Sequence, residues 1–268
     1  MNILSILRRY GRLWRYLARR SMMTQLTYRG DFLMGLARNA ATVALALVFY
    51  QVLFLRTSSI AGWSEPALLV LYGTFRLVRG ILYFFVEDTI TTIPEAVRRG
   101  ELDFLLLKPV SARFLLTCAQ VNLGAAFNTA IGVGLVVYGL HASAAPVTVG
   151  MLAGYLGLVI CAVVIFYNIL FMVMTIAFWT IQVDGLQYMF EELLNMAGLP
   201  NAAYRGALGV VFSYVLPVGI AASVPAGVLV GHAAPALYFY GPLFGLAGCL
   251  ASSRLWRRAV ASYTSAGG

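Results

Sequence analysis

Long apolar runs separated by short polar stretches dominate the chain. Six of them, roughly residues 32–55, 66–86, 114–140, 150–181, 207–230 and 234–252, approach or exceed the ~20 residues a helix needs to cross a bilayer core. None shows the strict alternation of a barrel strand, and a lone strand cannot satisfy its backbone in lipid, so all six read as helices. The fourth is longer than one crossing requires and is expected to tilt or project beyond the bilayer. Only a few residues around Gly231 and His232 divide the fifth from the sixth. The pattern predicts an all-α polytopic membrane protein, a single six-helix bundle over 31–252.

A different periodicity precedes the first run. Ile3, Ile6, Leu7, Tyr10, Leu13, Trp14 and Leu17 recur at helical spacing, with Arg8, Arg9, Arg12, Arg15 and Arg19 largely opposite. A helix built so, over residues 1–30, is expected to lie in the headgroup plane with its guanidiniums on anionic lipid. Its basic region is too long for a signal peptide, and the run that follows is of span length.

Composition strengthens the membrane reading. The chain is 61% hydrophobic and 11% charged, against roughly 25% charged for a soluble domain. The formal net charge of +9 would suit nucleic acid if it were spread over a folded polar face. Instead it flanks the apolar runs, with Arg254, Arg257 and Arg258 after the last. Arg98, Arg99, Lys108 and Arg113 follow the second run and Arg205 the fourth, whereas the loops near His141 and His232 hold no Lys or Arg. That asymmetry predicts both termini, including a tail at 253–268, on the cytoplasmic side of the inner membrane, with no nucleic-acid partner.

Catalytic chemistry has no visible constellation. The one lysine, Lys108, is followed by Pro109, which rules out a P-loop and ATP bound in that way. There is no HExxH or GxSxG, and Cys118, Cys161 and Cys249 lie singly inside apolar runs as small hydrophobes. The chain is expected to be no enzyme and to bind neither metal nor cofactor.

Two features carry candidate function. In the loop after the second run, Thr92 and Glu95 have capping-box spacing, Pro94 falls in the first turn and Gly100 is a plausible stop. This predicts a short helix followed by an apolar segment at 104–107, either docked on a partner or laid on the membrane. The second feature is polar side chains at depth: Arg38 and Asn39 in the first run, Arg76 and Arg79 one turn apart in the second, Asn122 and Asn128 in the third and Asn168 in the fourth. Charges there are costly and face a bundle interior, a cavity or a partner. Arg79 can snorkel toward the headgroups, while Arg76 is expected to line a translocation path or pair with an acidic group. The asparagines are expected to bridge helices.

The string RRGELDFLLLKPVSARF at 98–114 resembles the signature loop of small six-span permeases in the ABC type-2 exporter family. VLPVGIAASVPAGVLVG at 215–231 and LWRRAVASYTSAGG at 255–268 resemble the fifth span and closing tail of that branch. The similarity runs over essentially the whole chain. It implies a dimer of permease subunits, alike or homologous, on two separate ATP-hydrolysing subunits that use ATP and Mg. Pro94, Glu95, Arg98, Arg99 and Gly100, with Glu101, Leu102 and Asp103, would then be the coupling helix in an ATPase groove. Pro217 and Pro225 would mark a broken segment. An ion-coupled secondary transporter would need an acidic relay at mid-depth, but Glu87, Asp88, Asp184, Glu191 and Glu192 fall near run ends. A non-transporting scaffold is the remaining alternative.

Overall fold

The computed structural model describes residues 3–144, 146–180, 184–204, 206, 219, 222–232 and 237–263, and these are helical with no strand among them. Helix α1 (Ile3–Thr27) and helix α2 (Arg29–Phe54) meet at Tyr28. A tight turn with Ala61 and Gly62 at positive φ brings Ile60 against Trp63. Helix α3 (Glu65–Leu82), with Pro66 in its first turn, then returns and ends in a π-helical turn, Tyr83–Glu87. Three short helices follow: α4 (Ile93–Arg98), α5 (Leu102–Leu106) and α6 (Ala112–Cys118). Then come α7 (Leu123–Ser143), α8 (Val149–Thr175, continued as a 3-10 turn to Phe178), α9 (Asp184–Met196), α10 (Ser223–Val230) and α11 (Leu237–Ser262).

Among the described residues, four helices are long and apolar enough to cross a membrane: α2, Glu65–Val86, α7 and α8 with its extension. They coincide with the first four apolar runs, except that the third is shorter than expected. Its first part folds separately as α6, and the chain breaks at 119–122 before α7. Asn122 opens the helix that follows the break: its side chain accepts the Ala125 amide at 3.1 Å as an N-cap. The fifth run falls mostly outside the described residues, as does Pro217; its end is α10, with Pro225 in the first turn. The last run forms α11, which continues through Arg254, Arg257 and Arg258 to Ser262 rather than stopping at 252.

The core lies between α3, α7, α8 and α10. Helices α3 and α7 run antiparallel and touch through glycine. Gly73 and Gly80, seven residues apart on α3, face Gly132, Val136 and Thr129 of α7; Gly139 faces Pro66 and Val70. The absent side chains let backbones meet, which is how helices without a hydrophobic driving force between them pack in lipid. Helix α8, with Phe166, Phe171, Leu170 and Met174 fully buried, holds α10 and α11 on its other faces. Helix α2 is the outlier, with only 6% of its spanning window buried.

Part of the apolar stripe of α1 packs on protein. Tyr10 meets Phe114 edge-on at 4.8 Å and Trp14 meets Phe85 at 5.9 Å. Ser21 both donates to the Val121 carbonyl (2.9 Å) and accepts from its amide (3.1 Å). Gln25 also donates to that carbonyl and accepts from the Leu123 amide at 2.9 Å. Backbone groups freed by the break before α7 are thereby satisfied from α1.

Candidate functional site

The irregular end of α3 and the break before α7 are built against each other. A π-helical turn frees carbonyls from the α ladder, and the Phe84 carbonyl accepts the Asn122 amide at 3.1 Å. Asn122 Nδ2 donates to Asp88 Oδ2 at 3.0 Å, and the Gln120 amide donates to the Thr89 hydroxyl at 3.1 Å. Burial pushes the Asp88 carboxyl above its ordinary value, while the Asn122 hydrogen bond pulls the other way.

This joint forms one end of a half-open cavity of about 1170 Å³ lined mainly by α1, α2, α3, α6 and α7. Arg38, Asn39, Arg76, Arg79, Asn122 and Asn128 all line it. Periodicity could place each of these on a helix, but their convergence depends on how α2, α3 and α7 are placed around the cavity. Arg76 is 4% exposed and donates to the Asn128 side-chain oxygen. Within the chain its partner is therefore a neutral amide, and no acceptor among the described residues reaches its buried Nε. Arg79 differs. It forms a 2.8 Å ion pair with Glu191 of α9, donates to Asn195 and to the Tyr83 hydroxyl (3.0 Å), and Tyr83 donates in turn to Glu191. An arginine one turn short of the α3 end thus fastens α9 to α3.

A second polar cluster escaped the sequence reading. Arg113 of α6 donates to the Tyr167 hydroxyl at 3.1 Å, to Ser252 and Ser253 at 2.9 Å each, and to Asn168 Oδ1 at 3.3 Å. Its guanidinium carbon also stands 4.4 Å from the Phe171 ring centroid. Asn168 is fully buried, bridges α8 to α11 through a 2.5 Å bond from Ser252, and donates to the Val164 carbonyl at 2.7 Å. Arg113 counted only as a loop charge in the sequence. The signal that could have found it is the polar set Tyr167, Asn168, Ser252 and Ser253 in otherwise apolar helices, which demands a donor.

The loop segment has a buried and an exposed side. Ile93, Pro94, Ala96 and Leu102 are buried, whereas Glu95, Arg98, Arg99 and Glu101 face outward, with Asp103 intermediate. The anticipated capping box is not made: Thr92 has helical φ and ψ, and its hydroxyl donates to the Thr89 carbonyl at 2.7 Å instead. The preceding turn is already helical, so no orphan amide awaits a cap there. Gly100 does end the helix, at φ +71°. The Glu101 amide donates to the Ala96 carbonyl (3.0 Å) and the Gly100 amide to Val97 (3.3 Å), a Schellman pair. Beyond it Leu102 is fully buried, while Phe104 and Leu107 are 71% and 82% exposed. Arg99 pairs with Glu95 at 2.5 Å.

Apolar helices of spanning length around a polar, arginine-bearing cavity define a multi-pass α-helical membrane protein. Residues 40–267 match the model of the ABC-2 family transporter proteins, and the chain belongs to that family. It is a transmembrane ABC-transporter permease by that membership. Neither a curated protein nor a solved structure matches it.

Proposed function

We propose that the chain is the membrane subunit of an ATP-binding-cassette exporter. A separate nucleotide-binding subunit hydrolyses Mg-ATP, and this chain carries substrate outward across the cytoplasmic membrane, paired with a second permease copy or homologue. Both termini and the 93–107 segment face the cytoplasm in this reading, and α1 lies along the lipid headgroups. The observation that carries the coupling step is the two-sided 93–107 segment, pinned behind by Ile93, Pro94, Ala96 and Leu102. In front it presents Glu95, Arg98, Arg99 and Glu101 beside exposed Phe104, Leu106 and Leu107. An apolar patch rimmed by charge on a short, fixed helix is a surface made for a protein partner. The translocation path in this reading runs through the cavity of Arg38, Asn39, Arg76, Arg79 and Asn122.

Co-expression of the tagged chain with its cognate ABC ATPase tests the docking. Arg98→Glu combined with Glu101→Lys reverses two exposed charges and touches no buried group. The double variant is expected to insert normally, to lose copurification and to lose stimulated ATP turnover. Intact copurification and turnover would refute docking at this segment.

A further inference from the structure

The charges around the cavity do not balance. Arg20, Arg38, Arg76, Arg79 and Lys108 line it, against Asp31 and Asp88. The excess survives when Glu191 is set against Arg79. Asp88 is held by Asn122, and Asp31 is exposed at the start of α2. Arg76 is the least compensated. It is almost wholly buried, it donates to the neutral Asn128 oxygen, and its Nε finds no acceptor among the described residues. A guanidinium in such a place requires an anion, since a buried charge without a counter-charge is among the costliest arrangements in a protein. The planar fork matches the oxygens of a phosphate or carboxylate. Arg38 and Asn39 on α2 and Arg20 on α1 line the same cavity, so further cations and an amide share its space with Arg76.

We infer that this cavity is a binding site for a phosphate- or carboxylate-bearing anion, held by Arg76 with Arg38 and Asn39. Assigning the anion as the transported class rests on the permease reading above; the binding itself does not. The same chemistry can come from the headgroup of an anionic lipid or from a free anion, and the two are separable.

The full-length chain, purified without any ATPase, is melted by its tryptophan fluorescence in two settings. One is inorganic phosphate titrated at constant ionic strength; the other is nanodiscs of phosphatidylglycerol against phosphatidylcholine. A ligand that binds the folded chain raises the midpoint. A saturable rise with phosphate assigns a free anion, and a rise with phosphatidylglycerol alone assigns a headgroup. Arg76→Gln is expected to weaken the apparent affinity about tenfold or more, the loss of roughly one charge-assisted contact. Asn128→Asp supplies Arg76 with an internal carboxylate of the same shape and is expected to abolish the rise without loss of baseline stability. The exposed Arg257→Gln keeps the rise. No rise with either probe in the wild type, or one that survives both Arg76→Gln and Asn128→Asp, overturns the site. If the chain still copurifies with its ATPase in that case, the site alone has failed. A chain that binds anion but never engages an ATPase refutes the permease reading alone.

Discussion

Replacing Gly132 by alanine tests the claim that α3 and α7 pack backbone to backbone. A methyl at Gly132 would meet the Leu77 amide nitrogen at 2.6 Å, the Gly73 carbonyl oxygen at 2.7 Å and Leu77 Cα at 2.9 Å. Ordinary contact begins near 3.4 Å, so the closest approach is roughly 0.8 Å too short. All three atoms are backbone, and no rotamer change can relieve them. The helices must part or slide, and overpacking of this kind costs about 1–3 kcal/mol. Alanine recovers at most ~1 kcal/mol of helix propensity. With that recovery the net loss is up to about 2 kcal/mol, on the order of 5 °C in melting temperature for a chain of this size. Gly134, on the same helix with nothing within 4 Å of its would-be Cβ, is the control, and Gly134→Ala should melt at or above the wild type. Thermal unfolding in one detergent or nanodisc preparation, read by tryptophan fluorescence, compares the two. If Gly132→Ala melts with Gly134→Ala, the close approach of α3 and α7 is wrong. The Arg76–Asn128 contact across that interface would then lose its support.

Arg113→Lys keeps the charge but loses the fork that reaches Tyr167, Asn168, Ser252 and Ser253; it should cost on the order of 3 kcal/mol, more than Ser253→Ala in the same melting assay. Equal losses would show that α6, α8 and α11 are not joined through the guanidinium. Asp88→Asn tests the joint between α3 and α7. Because burial raises the carboxyl above 3.8, the folded chain holds that proton more tightly than the unfolded one. The contribution is complete below that value and lost as pH climbs through the raised one. The amide oxygen introduced by Asp88→Asn can still accept from Asn122, so the variant should match the wild type near pH 4 and melt higher at neutral pH. Parallel melting curves across that range would refute the assignment.

The first four apolar runs announced their helices because run length and hydropathy act on each helix separately. Gly100 was legible for a similar reason, since a left-handed residue after a short helix is a local demand. The break at 119–122 was not. Val121 and Cys118 continue the apolar run, and the break depends on Ser21 and Gln25, nearly a hundred residues earlier, satisfying the Val121 peptide groups. The Thr92 and Glu95 spacing misled because a capping box requires an extended residue at the first position, and the chain arrives there already helical. Depth along the run told Arg76 from Arg79 but not their partners, a neutral amide for one and Glu191 for the other. The second depends on the placement of α9. Arg113 was hidden because its partners come from more than one helix.

The hold of α1 on residues 109–123 has a mechanical consequence. Arg9 donates to the Pro109 carbonyl at 2.7 Å and the Ser111 amide donates to Tyr10 at 3.1 Å, while Ser21 and Gln25 grip Val121 farther along. A 25-residue helix, roughly 38 Å long, is therefore bolted at two points to the segment just beyond α4 and α5, like a splint across a joint. Its far end passes through Tyr28 into α2, the least buried of the four spanning helices described and the one that carries Arg38. A push on the 93–107 segment that reaches residue 109 must either drag this splint or tear those bonds. If it drags the splint, the cavity wall bearing Arg38 moves with it. The amino-terminal helix is then the connecting rod between the loop and the cavity, and releasing its Arg9 and Tyr10 contacts should uncouple the two.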